Sequence, residues 1–147
     1  MNGNTFVEVG FYQTRKYGQG TEGDTFLSRK TSDGRIVTAL SDGLGSGVKA
    51  GVLATLTASM AVTFISDDIP VRRAAARIMR TLPVCRERGI SYATFTIVDI
   101  NTMDRVKIIE YENPPYLLVR ELTQVEPIKT PVPVSAAKGR KTPPVMQ

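Results

Sequence analysis

The stretch that decides the fold is Thr38-Ala39-Leu40-Ser41-Asp42-Gly43-Leu44-Gly45-Ser46-Gly47. The apolar run that precedes Asp42 is typical of a buried strand, and the apolar stretch from Val48 to Ile65 is typical of a helix. Asp42 is therefore predicted to lie where a strand ends, followed by a glycine-rich turn. Carboxylate and carbonyl oxygens in such a turn are ligands that Mg²⁺ and Mn²⁺ prefer. Taken alone, the segment favours a plainer interpretation, in which Asp42 only caps the helix.

A second acid is predicted to meet Asp42 at the same sheet edge. Thr25 to Thr31 and Arg35 to Ser41 have strand composition, and they are separated by Asp33-Gly34, a pair typical of a type I′ hairpin turn. Antiparallel pairing about this turn places Asp24, before the first strand, beside Asp42, after the second. The two acids are eighteen positions apart in the chain, yet we expect them to be neighbours in space.

The rest of the chain predicts two helices and further strands. In the first helix, predicted from Ser46 to Ser66, apolar residues recur at four-residue spacing with two more beside them and predict a wide buried face: Val52, Leu56, Met60 and Phe64, with Leu53 and Ala61. A second helix ends before Pro83. The other predicted strands are Thr5 to Tyr12, Ser91 to Ile100, Arg105 to Tyr111 and Tyr116 to Arg120. Strands grouped on either side of a helix pair indicate an α+β fold of antiparallel sheets covered by helices.

Composition and charge exclude several classes of site. The chain has 147 residues, a net charge of +5, one cysteine and no histidine. An internal disulfide, a histidine-based catalytic triad and an imidazole metal site are therefore excluded. The basic residues form no dense cluster interleaved with aromatic residues, so we expect no nucleic-acid partner.

The location and the domain organisation are also predicted from composition. Cys85 alone fits a reducing cytoplasm, and Met1 to Glu8 lack the pattern of a signal peptide. The longest apolar stretch contains Thr, Ser and Gly, so we expect a core helix and no membrane segment. We divide the chain into residues 1–120, a folded core, and residues 121–147, a proline-rich extended tail or truncated remainder.

Four sequence segments together resemble a known family. They are Gly23-Asp24, Ala39 to Gly47 leading into a helix, Ser91 to Phe95, and Glu112-Asn113-Pro114-Pro115-Tyr116-Leu117. In order and spacing they resemble the metal-dependent protein phosphatases (PPM family), in particular the bacterial SpoIIE-like phosphatase domain, from about Phe6 to Arg120. The resemblance implies an antiparallel β-sandwich flanked by helices, here incomplete at the C-terminus.

The resemblance also implies a metal site and a reaction. Asp42 corresponds to the acid that bridges two metal ions, Gly43 to the residue whose carbonyl binds one of them, and Asp24 to the acid that contacts the ions through water. Two ions, Mn²⁺ or Mg²⁺, would activate a shared water for attack on phosphorus. Asp42 and Asp24 are therefore the expected catalytic residues. The implied substrate is a phosphoserine or phosphothreonine on a regulatory protein, such as an anti-sigma-factor antagonist, and a dimer is one option for assembly.

One departure from the family pattern affects the expected activity. The family draws further metal-binding aspartates from its C-terminal third, and no aspartate follows Asp104 here. We therefore expect a truncated phosphatase rather than a degenerate one, weak or inactive alone.

Two alternatives to a phosphatase stay open at this point. One is a non-catalytic interaction module on the phosphatase scaffold. The less favoured one is a nucleotide-binding module, because Asp42 to Gly47 also resembles the Asp-x-Gly-x-Gly box of the histidine-kinase and Hsp90-type ATPases. Those folds place a helix before the box, whereas a β-hairpin is predicted here.

Overall fold

Eight strands and two helices make up the part of the chain that is described. The structure, a computed structural model, describes residues 6–14, 23–43, 45, 47–84, 94–134 and 144–147. The elements follow in this order: β1 (Thr25–Lys30), β2 (Ile36–Ser41), α1 (Val48–Ser66), α2 (Val71–Thr81), β3 (Phe95–Ile100), β4 (Val106–Tyr111), β5 (Val119–Arg120), β6 (Thr123–Gln124), β7 (Pro131–Val132) and β8 (Val145–Met146).

The main sheet is antiparallel and carries the core on one face. Its six strands lie in the order β1-β2-β3-β4-β8-β7, while β5 and β6 form a separate two-stranded sheet. Alternate residues of the central strands face the two helices and are buried: Val37, Ala39, Phe95, Ile97, Ile109 and Tyr111. This alternation is expected of a sheet with one covered face, and it confirms the predicted α+β class.

Helix α1 buries part of the predicted face, with Ala61 buried and Leu53, Met60 and Phe64 packed against the core, together with an alanine-rich face beside it. Its buried residues are mostly small: Ala50, Ala54, Thr57, Ala58, Ala61, Val62 and Ile65. Val52 and Leu56, predicted to be buried, are 52% and 46% exposed. Alanine has a short side chain, so the alanine face allows the helix backbone to approach the sheet closely. Spacing alone could not distinguish the two faces, because both are apolar.

The apolar character of α1 also raises the question of a membrane span. By length and composition alone its 19 residues, of mean hydropathy 1.6, are sufficient to cross a bilayer. The buried core helix of a soluble protein meets the same criterion, so this is weak evidence. In the described structure, 44% of the apolar window is buried against the rest of the protein.

The turn between β1 and β2 differs from the predicted type. A type I′ turn requires positive φ at both central residues, but Gly34 has φ +87° and Asp33 is not in the left-handed region. The Gly34 N–H donates to the Thr31 carbonyl at 3.0 Å, and the Thr31 N–H donates to the Arg35 carbonyl at 2.8 Å. The connection is therefore a type I turn that ends in a left-handed glycine.

Arg35 joins this turn to the far end of α1. Its guanidinium donates to the carbonyls of Ile65 at 3.0 Å and Ser66 at 2.9 Å, and to the Asp68 carboxylate at 2.7 Å. Burial tends to lower the pKa of Arg35, but the hydrogen bond to Asp68 and the charge of Asp99 raise it. Arg35 thus adds hydrogen bonds to carbonyls in the last turn of the helix, where intrahelical donors run out, and fixes the hairpin relative to α1.

One predicted strand is absent and another is shorter than predicted. No strand is present in residues 6–14; instead the Phe11 ring stacks on Phe26 of β1, with centroids 4.9 Å apart. The predicted strand Tyr116 to Arg120 is reduced to Val119–Arg120, which pairs with Thr123–Gln124. The proline pair that precedes it removes two backbone donors, so a longer ladder is not available. The predicted strand residues 91–93 lie outside the described part of the chain.

Residues after 120 add strands to the main sheet. Val132 pairs with Val145, and Glu110 of β4 pairs with Met146. Val134 and Val145 are buried in the core. Lys129 forms an ion pair with Glu110 at 2.5 Å, and this hydrogen bond raises the pKa of Lys129. These contacts attach the segment to β4.

Candidate metal site

The two predicted acids lie at adjacent strand ends. Thr25, the first residue of β1, pairs with Ser41, the last residue of β2. Asp24 and Asp42, one position further out on each strand, therefore lie side by side at the same edge of the sheet. Asp24 is exposed and Asp42 is partly buried. The structure thus brings together the backbones of the two acids that the hairpin arrangement predicts as neighbours.

Gly43 is held against Asp24 by a close backbone contact. The Gly43 N–H donates to the Asp24 carboxylate at 3.2 Å. A Cβ atom at position 43 would lie 2.0 Å from the carbonyl oxygen of Gly23 and 3.1 Å from that of Ala50. Only glycine fits there. The Gly43 carbonyl oxygen is the backbone group of this residue that can ligate a cation, since hard cations bind oxygen and an amide N–H does not.

The backbone of Asp42 is fixed from both sides. Its N–H donates to the Asn113 side-chain oxygen at 3.4 Å, and its carbonyl accepts a hydrogen bond from the Thr94 hydroxyl. The Asn113 amide nitrogen in turn donates to the Leu40 carbonyl at 2.9 Å and to the Thr96 hydroxyl at 3.0 Å. The backbone position of Asp42 is therefore set by residues that follow β4 and precede β3.

The N-terminus of α1 lies beside this pair of acids. Ala50, in its first turn, is near both glycines: a Cβ atom at Gly23 would lie 3.9 Å from its side chain, and one at Gly43 would lie 3.1 Å from its carbonyl oxygen. Gly47 occupies the N-cap position without a side-chain hydrogen bond, and the first turn contains no acid. The helix N-terminus carries a partial positive charge and uncapped N–H groups, which favour the two carboxylates and any anionic group bound near them.

The donor set has the chemistry of a hard-cation site. Two carboxylates and one backbone carbonyl are oxygen ligands, which Mg²⁺ and Mn²⁺ prefer, and Mg²⁺ commonly completes its shell with water. Within the described ranges, however, no cluster of three or more Asp, Glu, His or Cys side chains is present. The described residues therefore offer oxygen ligands for one cation at Asp42 and the Gly43 carbonyl, with Asp24 beside them, and they do not by themselves supply ligands for two.

Two residues of the site are not among the predicted site residues. The sequence allows Asn113 to face the site edge but favours a turn role before Pro114, and it indicates no role for Thr94. The strand order of the sheet could have indicated Asn113. Leu40 pairs with Thr96, and Phe95 pairs with Tyr111, so β4 ends at the same edge of the sheet as β2. A polar residue just after Tyr111 therefore lies near Asp42.

Comparisons with known proteins give a family and a fold. The sequence model of the family described as Stage II sporulation protein E (SpoIIE) matches residues 32–144. Comparison with curated proteins gives no match.

Among solved structures, the fold is similar to the crystal structure of RsbX in complex with magnesium. The TM-score is 0.54 at 24% sequence identity, and the alignment covers 69% of this chain and 48% of RsbX. At this identity the likeness shows the fold, and it confirms the predicted PPM-type α+β architecture. The chain spans about half of the length of RsbX.

Proposed function

The chain belongs to the SpoIIE family, and on this premise we propose that it is the metal-dependent part of a serine/threonine protein phosphatase. The observation that carries the proposal is the joint placement of Asp24, Asp42 and Gly43 at one sheet edge. The Asp24 carboxylate holds the Gly43 N–H at 3.2 Å, while Thr94 and Asn113 hold the backbone of Asp42. Two acids and a carbonyl are thus preorganised before any ligand arrives.

The residues of this edge have distinct roles in the proposed reaction. Asp42 and the Gly43 carbonyl hold Mg²⁺ or Mn²⁺, and Asp24 orients water next to it. When bound, the cation supplies Lewis-acid stabilisation of the phosphoryl oxygens and acidifies water. The N–H groups at the start of α1 face the same edge and suit the anionic phosphoryl group. The protein positions the cation, the water and the phosphoryl group and supplies charge around them, and no side chain acts as a nucleophile.

The proposed substrate is a phosphoserine or phosphothreonine on a cytoplasmic regulatory protein. At the described edge Asp24 is exposed, and a Cβ atom at Gly45 would meet no atom within 4 Å. An exposed edge of this kind suits a phosphorylated side chain carried on another protein.

Activity of the 147-residue chain alone is proposed to be weak. The described residues offer two carboxylates, whereas a two-ion mechanism needs additional acidic ligands. The same observation favours the second candidate, an interaction module that retains the scaffold. The nucleotide-binding alternative is not favoured, because a β-hairpin leads into the glycine-rich loop and residues 6–14 contain no helix.

Calorimetric titration of Mn²⁺ into the chain and into Asp42→Asn tests the proposal. We expect measurable binding that is lost in the variant. Asp104→Asn is the matched control, because Asp104 is an exposed acid in the turn at the other end of β3 and β4. It should bind Mn²⁺ like the parent chain.

Hydrolysis of a phosphoserine peptide, measured in parallel, separates the two candidate functions. Mn²⁺-dependent turnover that Asp42→Asn abolishes supports a phosphatase. Mn²⁺ binding without turnover supports the proposal that the chain alone lacks the acidic ligands that a two-ion mechanism needs. Absence of Mn²⁺ binding in both proteins contradicts the metal site and leaves the interaction module.

A further inference from the structure

Helix α2 carries all of its arginines on the side that faces away from the core. The buried side of the helix consists of four residues: Ala74, Ala75, Ile78 and Met79. The arginines lie on the other side and are exposed: Arg72, Arg73, Arg77 and Arg80. The helix contains no acidic residue. It therefore presents only positive charge to solvent.

Three of these arginines form a row along the helix, called here the arginine row: Arg73, Arg77 and Arg80. An α-helix turns by about 100° and rises by about 1.5 Å per residue. The three arginines therefore lie within about 60° of one another around the axis and span about 10.5 Å along it. Arg72 lies beside the row. The row is thus a narrow, straight and positively charged surface.

The arginines weaken the helix that carries them. Arg72 and Arg73 lie in the first turn of α2, where the partial positive charge of a helix N-terminus disfavours cations and favours acids. Like charges four residues apart, such as Arg73 and Arg77, also destabilise a helix. Surface charges that contradict both of these local rules point to a use outside the fold.

The protein itself does not neutralise most of this charge. Arg72 and Arg73 form no ion pair among the described residues. The Arg77 guanidinium lies over the Phe64 ring of α1, 5.8 Å from its centroid, a contact that orients the cation and keeps its charge. Arg80 already has an interaction within the protein, and a guanidinium has five N–H donors, so a second acid can still bind it.

The spacing of the arginine row indicates the form of a partner. Along the axis, Arg73 and Arg77 are about 6.0 Å apart, and Arg77 and Arg80 are about 4.5 Å apart. Carboxylates at positions i, i+4 and i+7 of a second helix have the same spacing, whereas residues on one face of a strand are about 6.6 Å apart throughout. A guanidinium can bind a carboxylate through two parallel hydrogen bonds. An acidic helix beside α2 therefore matches the row in charge and in spacing.

We propose that the arginine row of α2 docks an acidic helix of a partner protein, whose carboxylates at i, i+4 and i+7 pair with the arginines. The start of α2 is separated from the candidate metal site by the 19 residues of α1, a length of about 27 Å. The docking function is therefore independent of the metal site and requires no metal.

Fluorescence anisotropy with labelled, alanine-rich helical peptides tests the proposal on the full chain, at low ionic strength and with chelator present. One peptide carries Glu at positions i, i+4 and i+7. The second has the same composition with Glu at i, i+2 and i+5, which distributes the acids around the helix. We expect the first peptide to bind about five-fold more tightly than the second, and its affinity to fall as salt is added.

Charge-reversal variants locate the site. Arg73→Glu and Arg77→Glu should each weaken binding of the first peptide about five-fold, the upper end of the contribution of one exposed ion pair. Arg120→Glu is the matched control, because Arg120 is an exposed arginine on β5 of the separate two-stranded sheet. It should leave the affinity unchanged. Circular dichroism confirms that each variant is folded.

Urea denaturation separates docking from a structural role of the row. Arg73→Gln removes a cation from the first turn of α2 and a like charge from the row, so we expect equal or higher stability than in the parent chain. The same variant should bind the first peptide more weakly. A loss of stability in Arg73→Gln would show that Arg73 serves the fold and would overturn the proposal.

Three results of the binding assays also overturn it. They are no binding of the first peptide, equal binding of the two peptides, and a loss in Arg120→Glu equal to that in Arg73→Glu. Vesicles of phosphatidylglycerol provide a further test. If they bind in place of the peptide and Arg73→Glu abolishes their binding, the row belongs to an anionic membrane surface and the proposal is wrong. Because chelator is present throughout, failure of the metal site does not affect these outcomes.

Discussion

The side-chain oxygen of Asn113 lies 3.4 Å from the backbone nitrogen of Asp42 and accepts its N–H. The same side chain donates to the Leu40 carbonyl and the Thr96 hydroxyl, so one amide joins the ends of β2, β3 and β4. We therefore predict that Asn113→Ala lowers the free energy of unfolding by about 1 to 3 kcal/mol, the cost of leaving buried partners unsatisfied. Urea denaturation measures this loss.

The Asn113 substitution should also weaken Mn²⁺ binding, because the Asp42 backbone loses a support. The matched control is Asn101→Ala. Asn101 accepts the N–H groups of Met103 and Arg105 in the turn at the opposite end of the sheet. This variant should lose stability without a change in Mn²⁺ affinity. Equal Mn²⁺ affinities in the two variants would show that Asn113 does not position Asp42.

Gly43→Ala tests the close backbone contact at the metal site. The added methyl group would lie 2.0 Å from the Gly23 carbonyl oxygen, so the loop must move. We expect a destabilisation of about 1 to 3 kcal/mol, typical of overpacking, and weaker Mn²⁺ binding. Gly10→Ala is the control, because a Cβ there meets no atom within 4 Å. A Gly43→Ala variant with parental stability would contradict the close approach of Gly23 and Gly43.

Arg35→Met tests the connection between the hairpin and α1. The side chains of Arg35 and Asp99 are 15% and 14% exposed, and the Arg35 Nε lies 3.6 Å from the Asp99 carboxylate. Removal of the cation leaves Asp99 largely buried without its partner. We predict a loss of about 3 kcal/mol, the lower end of the range for a broken buried pair because the contact is long.

A double-mutant cycle separates the charge effect from the lost helix-end hydrogen bonds. In the Arg35→Met background, Asp99→Asn should restore part of the stability, because it removes the unpaired charge. Urea unfolding of the four proteins gives the coupling. Strictly additive effects of the two substitutions would rule out an energetic link between Arg35 and Asp99.

The pH dependence of the free energy of unfolding should include a contribution from the titration of Asp99. Burial raises the pKa of Asp99 above 3.8, although Arg35 opposes the shift. The folded state therefore binds the Asp99 proton more tightly than the unfolded state does. This contribution to stability is full below pH 3.8 and is lost as the pH rises through the higher folded-state pKa.

Asp99→Asn removes this titration. Relative to the parent chain, the variant should gain stability as the pH is raised from about 3 to about 7. Urea midpoints at several pH values within that range measure the difference. Parallel pH profiles for the parent and the variant would contradict the raised pKa.

Tyr111→Phe tests a buried hydroxyl. Tyr111 is 2% exposed, its ring packs against Phe95 with centroids 5.7 Å apart, and its hydroxyl has no partner among the described residues. Phenylalanine keeps the ring contact and removes the unsatisfied group. We predict a gain of about 1 kcal/mol in the free energy of unfolding, measured by urea denaturation. A loss of stability would show that the hydroxyl has a partner.

Local sequence signals predicted the elements that depend on local interactions. The Asp33-Gly34 pair fixed the position of the hairpin, and hairpin geometry then required Asp24 and Asp42 to be neighbours. The apolar runs predicted α1, β3 and β4 to within a few residues. The segment around Phe11 was not predicted correctly, because its alternating pattern fits a strand while the observed contact is a single ring stacked on Phe26.

By itself, then, the sequence determined the α+β class, the hairpin that joins the two acids, and the glycine after Asp42, because each depends on residues close together in the chain. Only the tertiary structure decided three other features. It placed the alanine face of α1 against the sheet, since close packing of the helix on the sheet favours small side chains over an equally apolar face of larger ones. It brought Asn113 and Thr94 to Asp42, since strand order is set by pairing between distant segments. It also paired Met146 with Glu110 of β4, a contact between distant segments that local composition does not encode.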